Sequence, residues 1–298
     1  MINYLIAMAT FGAIYAILAL ALNVMWGMAG MVNLGIVGFY ACGAYISALL
    51  TVNAHAPIAL GLAAAMAGTA VTAAFVTLGI TRLRDDYLAI VTLGFAEVVR
   101  IVAENEIWLT RGTDGISGIP QPLKAMLGSD FNVAYLIFCL VVLLSLLLLL
   151  ERVRRSPFGR ALRAIREDAQ VAAFAGKDVL KFKVKAFAIG GALAGLAGAL
   201  YAHYSSYIVP EIFVPLLTIN IFLALTAGGV GNNFGAALGA FLVVFFLEST
   251  RFLVGVIPWI TAEQLAALRE FFVGLGLLVI LVFRPRGLLP EPRPQLVD

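Results

Sequence analysis

Leu140–Leu150 reads LVVLLSLLLLL, a run with neither a charge nor an alternation of polar and apolar residues. A barrel strand would alternate over about 10 residues, so this run is helical. Its surroundings set the solvent. No Asp, Glu, Lys or Arg occurs in Met1–Thr81, Ala186–Pro210 or Ile212–Leu247. Of 298 residues 62% are hydrophobic and 12% charged, against about 25% charged in soluble domains, and mean hydropathy is +1.00. In lipid every backbone polar group must be satisfied internally. The expected fold is therefore all-α, a polytopic transmembrane helical bundle.

Breaks fall at charge clusters and at Gly, Pro and Asn runs. Between them the sequence predicts spans near 5–25, 34–53, 58–81, 87–104, 131–150, 185–207, 213–228, 234–254 and 266–283, about nine (eight to ten) by the apolar-length criterion. The amino end (MINYLIAMAT) has no positive n-region and runs into further apolar sequence, so it reads as a span and not as a cleavable signal peptide. Of 20 Lys and Arg, 10 lie between Arg152 and Lys185, which assigns that segment to the cytoplasm. Counting outward, Arg82, Arg84 and the tail cations Arg284, Arg286 and Arg293 also fall inside, giving an N-out/C-in topology. The chain is expected to be a single transmembrane domain, 1–298, with an external loop at 105–130 and a cytoplasmic loop at 151–184.

A net charge of +3 gives no case for nucleic acid. Cys42 and Cys139 lie in apolar runs and suggest neither a disulfide nor a metal site. His55 and His203 are far apart, no nucleophile–base arrangement is visible, and no GxxxxGK[ST] loop is present to cradle ATP phosphates. Catalytic and metal-binding residues are therefore expected to be none, and no cofactor is expected on this chain.

The inner loop opens ERVRRSPFGRALRAIREDAQVAAFAGKD. Ser156 as N-cap and Pro157 at the first position start a helix, and Gly176 is placed to stop it. Phe158, Leu162, Ile165, Ala169 and Ala172 share one face, ringed by Arg160, Arg163, Arg166 and Glu167. Two readings stand: a rigid element whose apolar strip seats in a groove of a separate ATPase, or an interfacial helix lying on lipid headgroups. Asp178 is expected to cap a second helix running into the sixth span.

MWGMAGMVNLGIVG (Met25–Gly38) and TAGGVGNNFGAALGA (Thr226–Ala240) interrupt apolar runs with Gly and Asn. Interrupted helices can expose backbone groups to a polar solute; small residues can equally serve close helix packing. Asn33, Gly35, Gly228 and Gly229 in these breaks, with Thr92 and Glu97 on the fourth span, are the candidate path residues. Glu97, Arg100 and Glu104 line one face of that span, as a structural pairing or, in an ion-coupled secondary transporter, with Glu97 and Glu104 as carriers. Glu248 and Arg251 form a similar pair on the eighth span.

DDYLAIVTLGFAEVVRIV, LTRGTDGISGIP, RSPFGRALRAIREDAQVAAFAGKDVLKFKVKAFAIGGALAGLAGALYAH and ALTAGGVGNNFGAALGA closely resemble the branched-chain amino-acid permease subunits of bacterial ABC importers, over about Leu18 to Leu288. The resemblance is to the type with the Asp-Tyr-Leu-Ala-Ile-Val-Thr-Leu-Gly segment. It implies a bacterial inner-membrane complex of two related permeases, two ATP-binding subunits carrying ATP and Mg, and an external solute-binding protein. It makes Ser156–Lys177 the coupling loop, with Gly159, Arg160, Arg163, Arg166, Glu167, Asp168, Ala172 and Gly176 carried over beside the strip residues Leu162 and Ile165. Glu167-Asp168-Ala169 departs from the general Glu-Ala-Ala signature. Other members of the family move urea, short amides or aromatic acids, so the solute is open on this ground.

Overall fold

The computed structural model describes residues 2–80, 85–122, 124–249, 262–284 and 286–291. Arg82, Arg84, Arg251 and Arg293, which entered the topology and pairing arguments, lie outside them. Five described helical stretches are long and apolar enough to cross a membrane: Ile2–Met28, Ile58–Gly79, Phe131–Arg155, Val179–Ser205 and Pro210–Gly228. Two shorter apolar helices, Ile36–Val52 and Asn233–Ser249, accompany them.

The chain order begins with α1 (Ile2–Leu22), which continues as a π-helical turn over Asn23–Met28, then α2 (Ile36–Val52), α3 (Ile58–Ile80) and α4 (Asp85–Asn105). Short helices α5 (Ile107–Thr110) and α6 (Lys124–Leu127) lie in the following loop. After them come α7 (Phe131–Arg155), α8 (Pro157–Glu167), α9 (Ala169–Phe174) and α10 (Val179–Ser205). The last described helices are α11 (Pro215–Gly228), α12 (Asn233–Ser249) and α13 (Ala262–Phe283).

The core is the packing of α1, α2, α3 and α10. Apart from Tyr15, α1 is buried from Gly12 to Leu22. Helix α10 can approach closely because its sequence GGALAGLAG lacks side chains at the contacts. A Cβ on Gly198 would lie 2.8 Å from the Ala44 amide nitrogen, and one on Gly195 would lie 2.7 Å from the Ala65 carbonyl. Small residues spaced in this way bring backbones together in a lipid-solvated bundle. The opposite surfaces stay apolar: Val71 and Phe75 on α3, and Val141 and Leu148 on α7, are exposed.

The segments assigned outside by charge counting meet at one end of the bundle. Ile116 and Ser117 (β1) pair antiparallel with Ile208 and Tyr207 (β2). The His203 ring joins them to α2, with Nδ1 2.7 Å from the Pro120 carbonyl and Nε2 2.9 Å from Ser47 Oγ. A carbonyl only accepts, so Nδ1 carries the proton and Nε2 accepts from Ser47. The histidine is a structural staple.

Candidate functional site

At the other end the inner loop folds against the spans. Glu151 at the foot of α7 holds Arg154 at 2.6 Å and Arg155 at 2.8 Å, which braces the last turn of α7. Ser156 is extended (φ −71°, ψ 166°) and its Oγ accepts from the Gly159 amide at 3.3 Å; with Pro157 next, α8 starts as the sequence predicts. A Cβ at Gly159 would come within 2.6 Å of the Arg154 carbonyl, so only glycine allows this close return.

The single helix expected from Ser156 to Gly176 is two. Asp168 is extended (φ −154°, ψ 108°), and its carboxylate accepts from the Gln170 and Val171 amides at 2.8 and 3.0 Å. It ends α8 and caps α9. At Gly176 (φ +77°) the amides of Gly176 and Lys177 bond back to Ala173 and Ala172, the left-handed stop that glycine permits. Asp178 Oδ1 then accepts from the Lys181 amide at 3.1 Å and α10 begins. Lys181 beside it holds the Asp178 carboxyl below its ordinary value.

Leu162 (0% exposed), Ile165 and Ala172 are buried within this chain, and Phe158 stacks on Phe182 of α10 at 5.4 Å. The strip read as seating in a partner is used to dock the loop onto its own spans, because an amphipathic helix this close to apolar helix ends buries its apolar face there first. The apolar groups left exposed lie on α9: Val171, 63% exposed, and Phe174, 92%. Arg160, Glu167, Asp168 and Gly176 are also exposed.

Arg166 differs from the other cations of α8. Its guanidinium donates to the Gly27 carbonyl in the π-helical turn that ends α1, and to Glu291 Oε2 at 2.8 Å. Glu291 closes a strap whose Leu288 and Leu289 amides bond to the Ala227 and Gly228 carbonyls, while Asn232 Nδ2 reaches the Pro290 carbonyl at 3.1 Å. Asn23, which sequence reasoning passed over, ties the first break to the second: its Nδ2 donates to Asn233 Oδ1 at 3.0 Å and its Oδ1 accepts from the Gly231 amide at 2.9 Å. The available signal was the cost of an amide in an uncharged run at bilayer depth. Arg166 thus reaches α1, the strap and, through the strap, the α11–α12 break.

The candidate path residues divide. Asn33 and Thr92 are fully buried; Asn33 Oδ1 accepts from the Gly35 amide at 2.8 Å, and Thr92 Oγ1 accepts from the Leu34 amide at 3.1 Å. These three form one turn that pins the first break to α4. Gly228 and Gly229 (φ +125°) sit in the second break, with the backbone of Gly235 and Leu289 against them. Glu97 belongs to neither group. Arg100 binds it through Nε at 3.1 Å and bridges to Glu104 at 2.9 Å, completing the face read from the spacing. On α12 Glu248 Oε2 accepts from the Tyr4 hydroxyl at 2.7 Å.

Residues 4–281 match the family described as branched-chain amino acid transport system / permease component. The chain belongs to that family. It is similar to the high-affinity branched-chain amino acid transport system permease protein LivM of Escherichia coli, 35% identical, with 97% of this chain and 70% of the relative covered. A probable LivM of Methanocaldococcus jannaschii is 30% identical over 93% of this chain and 91% of its own length. LivH of Salmonella typhimurium is 26% identical over 97% and 95%. No solved structure matches. As a member of this permease family the chain is a multi-pass membrane protein and a transport component.

Proposed function

We propose that this chain is one of two related permease subunits of an ABC importer for branched-chain amino acids, driven by ATP hydrolysis on two separate ATP-binding subunits and fed by an external solute-binding protein. It lies in a bacterial inner membrane with about nine spans, N-out and C-in, and α8–α9 is its coupling element. The observation that carries this reading is the division of labour on that element. One face of α8 is buried in the permease, Arg166 reaches the broken end of α1 and the Glu291 strap, and α9 presents Val171 and Phe174 outward. A displacement imposed on α9 is thereby passed to two helix breaks.

The solute rests on the relatives' names and is proposed in preference to urea, amides or aromatic acids. An ion-coupled transporter has less support, since Arg100 ion-pairs with both Glu97 and Glu104. The test is reconstitution with the ATP-binding subunits and the binding protein in proteoliposomes. Leucine uptake that requires ATP and survives a protonophore supports the proposal; uptake that stops with the protonophore while ATP is maintained overturns it.

A further inference from the structure

Helix α4 has 21 residues, about 32 Å at 1.5 Å per residue, and in the nine-span reading it crosses the bilayer. Leu88, Thr92, Ala96 and Ala103 form its buried side. That side lies on α2, where a Cβ on Gly38 would come within 2.7 Å of the Ala96 Cα. Away from it the helix is open. Ile90 (65% exposed), Gly94, Glu97 and Ile101 (45%) recur at i, i+4, i+7 and i+11 and make one stripe. A Cβ on Gly94 would meet nothing within 4 Å. Flanking the stripe, Arg100 pairs with Glu97 and Glu104, whose side chains are 39% and 38% exposed. One guanidinium against two carboxylates leaves a net charge of −1 on the outside of the helix. Glu97 lies about 12 Å inside the end of α4 at Asn105. Lipid does not cover such a face, since ionisable groups within spans turn to protein or to a wet cavity. The exposed surfaces of α3 and α7 differ: α3 has no charged residue, and α7 has none from Phe131 to Leu150. Open space at Gly94 lets a second helix approach closely.

We propose that this stripe of α4 is the contact face for the second, related permease subunit, whose facing helix supplies a cation or hydrogen-bond donors to the Glu97–Arg100–Glu104 triad. The proposal rests on the import reading and specifies which helix makes the contact. A second copy of this chain is the wrong occupant. Two-fold pairing sets the same patch against itself, so each triad would meet another of net charge −1 at the same depth.

The test uses the complete complex in its membrane, with the two permeases carrying different tags. Photoreactive p-benzoylphenylalanine replaces Ile90 or Ile101 on α4 and, as controls, the exposed Phe75 on α3 or Leu148 on α7. Illumination should join the α4 positions to the second permease and leave the controls attached to lipid alone. Gly94→Leu adds bulk only to the open face. It should leave the amount of this chain in the membrane at the wild-type level, while the second permease recovered with it in mild detergent falls about tenfold. Crosslinks from α4 no more frequent than from α3 and α7 in an assembled complex, or a Gly94→Leu complex recovered at wild-type yield, overturn the contact face and leave the import reading intact. Crosslinks to a second copy of this chain overturn the choice of partner. A wild-type chain that retains no second permease sinks both the contact face and the import reading.

Discussion

Leu162 and Phe174 lie a few turns apart in the segment between α7 and α10 and have opposite environments, 0% and 92% exposed. Leu162→Ala removes packed methyl groups and should destabilise the permease by about 2–5 kcal/mol, seen as a lower melting temperature and less folded protein in detergent. Phe174→Asp touches nothing in this chain that needs an apolar partner. It should leave melting temperature and abundance close to wild type, while the ATP-binding subunits dissociate more readily and uptake falls. A Phe174→Asp permease that still holds its ATPase and transports normally would remove α9 from the contact. At α4, Arg100→Gln strands two carboxylates and should lower folded abundance, whereas exchanging Glu97 and Arg100 should recover part of it. Recovery is measured as the fraction of monodisperse protein on size exclusion.

At the scale of elements, the loop between α7 and α10 is rigid because each joint is capped. Ser156, Asp168 and Asp178 each accept backbone amides, so the loop consists of short helices with fixed bends. Asp168→Ala removes one cap and should cost about 1 kcal/mol. Its effect should appear as faster amide exchange confined to α9, together with looser coupling of ATP hydrolysis to uptake. Arg166 links this element to α1 and to the strap through charge-assisted bonds, the stronger class of hydrogen bond. Arg166→Gln and Glu291→Gln should therefore each reduce leucine uptake per ATP hydrolysed, and the double variant should be little worse than either, since both break one bridge. Strictly additive losses would show that the bridge is not the shared route.

For the whole molecule, the topology is open to a direct test. Native Cys42 and Cys139, free in the structure, are first replaced by Ser. Gly176→Cys should then react with a membrane-impermeant thiol reagent only from the cytoplasmic side, and Ser117→Cys, on the exposed edge of β1, only from outside. Labelling both from one side contradicts the N-out/C-in arrangement. The structure bears on this by grouping: 105–122 joins 203–208 at one end of the bundle, and the π-turn of α1, α8, the α11–α12 break and 286–291 join at the other.

Composition and periodicity were enough for the solvent, the helical class, the positions of most long helices, the Ser156 and Asp178 caps and the Glu97–Arg100 pairing. Each depends on the free energy of a residue type in lipid or on contacts within one turn, which a linear sequence displays. Three other features could be known only from the folded chain. Leu162 and Ile165 face inward because the ends of the chain's own helices cover them. Asp168 divides the inner helix because its extended backbone ends α8 while its carboxylate caps α9. Asn23, Asn233, Arg166 and Glu291 become one network across separations of 125 and 210 residues. Residue spacing carries no record of such distant pairings, since they arise only when packed helices bring unsatisfied polar groups to the same depth.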